Sequence, residues 1–184
     1  MPGGVLLTKG ATTAAHVWSY PNIHGDITCV ANSTGVKQGA AFTYDPFGQP
    51  MNAAGAVAKD GVPDNAAGKF DYGWLGQHQR GYEHEGSIAT IEMGARQYVG
   101  QLGRFLQVDR IEDGSANDYD YAGGDPVNGR DLSGQCNDAT VACVLAILTS
   151  SEPYPTSTSS RYFRSSDGFT PSSDARSPAS HRRK

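Results

Sequence analysis

The densest group of side chains able to bind a metal or move protons near neutral pH is His78, Glu83, His84 and Glu85. Imidazoles and carboxylates are zinc ligands and general acid–base groups. Their spacing matches no standard ligand motif, and Glu83-His84-Glu85 runs into Gly86 as a polar hairpin turn would, so neither a metal nor a cofactor is expected. The cysteines Cys29, Cys136 and Cys143 leave one unpaired whatever happens and form no CxxC, so a disulfide scaffold is not expected. Cys136 and Cys143 lie seven apart, on one face of a possible helix, and read as apolar packing. A nucleophilic role for Cys136 lacks a recognisable histidine partner and a basic neighbour to lower the thiol pKa. The chain contains no G-x-G-x-x-G, no Walker loop and no G-x-S-x-G.

The elements that would position such groups read as β structure. Glycine reaches 23 of 184 residues, proline adds 10, and only 18% of residues are charged, a composition rich in turns. An aromatic-x-aromatic step recurs at Trp18-Ser19-Tyr20, Phe42-Thr43-Tyr44, Phe70-Asp71-Tyr72 and Tyr119-Asp120-Tyr121. Side chains two apart share one face of a strand, so each step predicts a strand presenting two rings to a packed layer, in a repeated hairpin unit. Turn signals fall between the steps: Asp45-Pro46-Phe47-Gly48, Asn32-Ser33-Thr34-Gly35, Asn52-Ala53-Ala54-Gly55 and Asp64-Asn65-Ala66-Ala67-Gly68. The Ala/Gly-rich stretch between the last two is expected to be an exposed loop. From Ile88 to Val99, Ile91, Met93, Ala95 and Val99 alternate with Glu92, Gly94 and Arg96, which predicts one half-buried strand.

The chain changes character near Gln135. Residues 1–135 hold 15 acidic and 9 basic side chains, whereas 136–184 hold 4 and 6. An acidic body gives no reason to expect nucleic-acid binding. Asn137 can cap a short helix over 136–149, and 150–184, rich in Ser, Thr, Pro and Arg, are expected to be disordered. The longest apolar run, Val141 to Leu148, is too short for a membrane span, and the N-terminus shows no signal peptide, so the chain by itself is expected to be soluble.

In order along the chain, Tyr72-Gly73-Trp74-Leu75-Gly76-Gln77, Gly94-Ala95-Arg96-Gln97-Tyr98, Leu102-Gly103-Arg104-Phe105-Leu106-Gln107-Val108-Asp109, Asn117-Asp118-Tyr119-Asp120-Tyr121 and Gly124-Asp125-Pro126-Val127-Asn128 closely resemble the RHS-repeat-associated core. His24-Gly25-Asp26 and Tyr44-Asp45-Pro46-Phe47-Gly48 look like the YD repeats that precede it. The resemblance implies an all-β fold of antiparallel hairpin repeats, divided into a YD-repeat segment at 1–50, an Ala/Gly-rich loop at 51–69 and the core at 70–135. A short C-terminal helix at 136–149 and a tail at 150–184 complete the expected organisation.

Such proteins build a shell of β-hairpins around a C-terminal, commonly toxic, polypeptide and often cleave the chain beyond the core. The implied partners are upstream YD repeats and the chain's own C-terminal segment, at the cell surface or secreted as part of a parent protein. The resemblance assigns self-cleavage to Asp109 and Asp131 with Arg104 nearby, acting on the Gln135-Cys136 bond after the closing motif Asp131-Leu132-Ser133-Gly134. Two carboxylates held close cannot both ionise, so one acts as acid and the other activates water. Arg110 and Leu132 stand where the family has proline. Competing readings are a cell-surface adhesion or carbohydrate-binding β protein and an inactive truncated gene product, and exposure of the aromatic rows separates shell from binder.

Overall fold

The computed structural model describes residues 4–8, 10–68, 70–84, 88–111, 117–138 and 145. The expected helix over 136–149 falls largely outside these residues, and the expected tail at 150–184 lies wholly outside them. The described chain is all-β, with antiparallel sheets and three single 3-10 turns.

Strands β1 (Leu6–Thr8), β2 (Val17–Pro21), β3 (Ile27–Ala31) and β4 (Lys37–Gln38) form one meander in that order. A two-stranded ribbon pairs β5 (Thr43–Tyr44) with β6 (Pro50–Met51). A second meander runs β7 (Phe70–Tyr72), β8 (Gly81–Glu83), β9 (Thr90–Met93), β10 (Arg96–Val99) and β11 (Arg104–Phe105), with β7 and β11 at its edges.

One turn chemistry recurs: an Asn or Asp, two variable residues, a glycine and a closing residue. At Asn22, Asn32, Asp45 and Asn52 the backbone N–H donates to the carbonyl four residues on, and the glycine three residues on donates back. The side-chain oxygen of each accepts further N–H groups of its own turn. Gly25, Gly35, Gly48 and Gly55 all adopt positive φ, which the loop demands and which costs glycine least. The sequence signals at Asn32, Asp45 and Asn52 therefore mark true turns. The one at Asp64 does not, because Asn65 is drawn inward instead.

Asn65 is buried and bonds both backbone groups of Tyr72, accepting from its N–H at 2.8 Å and donating to its carbonyl at 2.9 Å. It does for the edge strand β7 what another strand would do. Its amide also donates to Ser19 Oγ at 3.0 Å, tying the two meanders together. The stretch expected as an exposed loop thus carries buried Val62 and Pro63 ahead of Asn65.

Two aromatic steps face the other way from the expectation. On β2, Ser19 is fully buried while Trp18 and Tyr20 are 37% and 40% exposed. On β7, Asp71 is buried and Phe70 exposed. The inward positions are occupied by polar groups because the Asn65 side chain and the backbone amides of Asn65 and Ala66 satisfy them. The apolar core gathers around Trp74, Tyr82, Ile91, Tyr98, Phe105 and Tyr121. Trp74 stacks on Tyr98 at 5.4 Å between ring centres, and Tyr98 lies 4.8 Å from Tyr121.

Residues 88–99 are not one strand. Gly94, at φ 66°, occupies the first position of a two-residue turn between β9 and β10, with Met93 opposite Arg96. Such a turn reverses the chain and the parity of the alternation. Ala95 is exposed at its tip, and Arg96 faces the core side beside Met93.

Candidate functional site

The parity reversal places a guanidinium in the interior. Arg96 is 4% exposed, and its carbon Cζ lies 3.7 Å above the Phe105 ring. Its three nitrogens face four acceptor atoms from three segments. Nη1 donates to the Asp118 carbonyl at 2.9 Å, and Nε donates to the Gly134 carbonyl. Nη2 touches Asp109 Oδ2 at 2.7 Å and Asp131 Oδ2 at 3.3 Å. Both aspartates implied by the resemblance therefore meet on one nitrogen atom.

Their environments differ. Asp131 is 1% exposed, and its Oδ1 accepts from Ser133 Oγ and from the Gln135 N–H, both at 3.0 Å. Burial pushes its carboxyl above the ordinary carboxylate range, against the pull of these donors and of Arg96. Asp109 accepts from the Ile111 N–H through Oδ1, and burial raises it also. Asp109 Oδ2 sits close to Nη2, yet no N–H among the described residues is aligned on it; it receives charge without a directed hydrogen bond. Two buried carboxyls around one cation hold more than their ordinary share of protons.

The segment 131–136 is tightly held. The Ser133 carbonyl accepts from Ala95 N–H at 2.9 Å, and Gly134, at φ 66°, lies where any Cβ would meet the Met93 carbonyl oxygen. Cys136 is buried and disulfide-bonded, so it offers no thiol for attack. This corrects the expectation of simple apolar packing at that residue. Cys143 lies outside the described residues.

Arg104 is not at this site. It is exposed on β11, with its guanidinium 5.3 Å from the Tyr119 ring centre and its backbone bridged to Asp120. Arg96 is the arginine that joins the aspartates, and sequence reading passed over it because one continuous strand would have turned it outward.

The histidine group separates. His84 lies between Asp71 Oδ2 at 3.1 Å and Asp60 Oδ1 at 3.3 Å. Burial opposes its charge, but the two carboxylates prevail and its pKa is raised. His78 sits against Arg130 Nη1 at 3.1 Å, and burial together with Arg130 and Arg80 lowers its pKa. Glu85 lies outside the described residues. Among those residues, no three His, Cys, Asp or Glu side chains are grouped to hold a metal, and no helix is long and apolar enough to cross a membrane. In comparisons with known proteins, no family model and no curated protein matches this chain.

Proposed function

We propose that this chain is a shell and closure module of an RHS/YD-repeat protein, partnered by upstream repeats and by its own C-terminal segment, and that it cleaves its own backbone near Gln135-Cys136. The observation that carries this reading is the convergence of Asp109 and Asp131 on Arg96, directly against residues 134–136. Burying two carboxylates around one guanidinium carries a desolvation cost that solvent-exposed turn aspartates avoid. Two buried carboxyls with raised proton affinity next to a rigid peptide give the acid and base that aspartyl-type hydrolysis uses. Intact mass spectrometry of the purified chain tests it. Two products dividing the chain at 134–136, abolished by Asp109→Asn and by Asp131→Asn, are expected; unchanged cleavage in both variants rules the carboxylates out.

The exposed pair Trp18 and Tyr20 favours a second reading, carbohydrate binding, because flat rings on an open sheet face stack on sugars. Quenching of Trp18 fluorescence by a saccharide, lost in Trp18→Ala, is its expected sign.

A further inference from the structure

The site holds two successive peptide bonds unequally. Asp131 Oδ1 accepts from the Gln135 N–H at 3.0 Å, so its carboxyl stands beside the nitrogen of Gly134-Gln135, one bond ahead of Gln135-Cys136. The carbonyls separate them. The Gly134 oxygen accepts from Arg96 Nε, whereas no donor among the described residues reaches the Gln135 oxygen. Amide hydrolysis builds negative charge on the carbonyl oxygen in its transition state, and a fixed cationic donor at that oxygen contributes most to lowering the barrier. Only one of the two bonds has one.

We infer, on the basis of the self-cleavage reading above, that the bond this site is built to hydrolyse is Gly134-Gln135, one residue before the position its motif suggests, with Arg96 as the group that stabilises the oxyanion. Its location gives each carboxyl a role. Asp109 Oδ2, close to Arg96 but without a directed donor, accepts a proton from water. Asp131, whose Oδ1 accepts from the Gln135 N–H in the resting chain, supplies one once that nitrogen turns pyramidal and its lone pair faces the carboxyl. The water oxygen bonds to the Gly134 carbonyl carbon, the C–N bond to Gln135 breaks, and the pair's single proton ends on Asp109 instead of Asp131. The immediate products are a carboxylic acid at Gly134 and an amine at Gln135, and the acid's proton then passes to the amine to leave a carboxylate and an ammonium. Gly134 suits this position, because its positive φ and the adjacent Met93 carbonyl leave no room for a side chain.

The test is the identity of the new ends. The purified 184-residue chain, incubated for days, is expected to give fragments 1–134 and 135–184, the second also appearing lighter by one ammonia as its N-terminal glutamine cyclises. Gln135→Ala should keep the break at the same bond and lose the ammonia-depleted species. Arg96→Lys, which keeps the charge but not the forked donor, should slow the break at least tenfold, with near-ultraviolet circular dichroism reporting whether the aromatic core stays assembled. A break at Gln135-Cys136 overturns this inference and leaves self-cleavage standing. An intact wild-type chain overturns both. A break undiminished in a folded Arg96→Lys protein overturns the role of Arg96.

Discussion

Asn65 spends its whole side chain on backbone and hydroxyl groups that would otherwise be buried without partners. Replacing it with leucine removes three bonds from buried or half-buried groups, so Asn65→Leu is expected to destabilise the fold by about 2–4 kcal/mol in urea titration. His84 makes a different kind of contribution. Its folded pKa lies above the unfolded value of 6.5, so its pairing with Asp71 and Asp60 stabilises fully below that pH and is lost as pH rises through the folded pKa. His78, lowered by burial and by the arginines, works in the opposite sense, so the comparison has to be made against a variant. The difference in melting temperature between the wild type and His84→Gln should be largest near pH 6 and shrink towards pH 8.5. A difference independent of pH would mean that His84 acts by packing alone.

At the scale of elements, what could be read from sequence was the chemistry confined to a few adjacent residues. The Asn/Asp-x-x-Gly turns were legible because one side chain satisfies its own loop and one glycine accepts its φ, with no help from elsewhere. The inward face of a strand was not legible, since it depends on what packs against it. Ser19 points inward because Asn65, 46 residues on, meets it, and Asp71 because the backbone amides of Asn65 and Ala66 in the preceding loop meet it. Arg96 was hidden by a single turn: the motif that carries the resemblance contains it, but reading through Gly94-Ala95 as strand assigned it to solvent. The aspartates Asp109 and Asp131 were identified by resemblance and are in fact neighbours, while spacing alone gave no reason to pair them. The hairpin turn makes its own prediction. A Cβ on Gly35 would meet nothing within 4 Å, whereas one on Gly94 would lie 2.7 Å from the Ser133 carbonyl oxygen. Gly35→Ala should therefore cost only the strain of a left-handed alanine, about 1 kcal/mol. Gly94→Ala should cost at least twice that in the same titration and should also impair any cleavage, because the clash displaces the 131–136 segment from Arg96.

For the whole molecule, the two meanders treat their edges differently. The second covers β7 with Asn65, which pairs the outward N–H and carbonyl of Tyr72. The first ends in β1, whose only strand neighbour among the described residues is β2, and beside that edge the outward face carries Trp18 and Tyr20, with Leu7 opposite Trp18 in register. An unpaired strand flanked by exposed rings is a template for pairing with another chain. In a shell the preceding hairpin would occupy that edge, and in the isolated chain a second copy can. Light scattering after gel filtration should therefore show association that grows with protein concentration, and Leu7→Lys, which places a charge at the edge, should suppress it without lowering the unfolding midpoint. Trp18→Ser distinguishes the two surfaces involved: it should weaken association through the face while leaving the β1 edge competent. A chain that stays monomeric across the accessible concentration range would show that the β1 edge is protected.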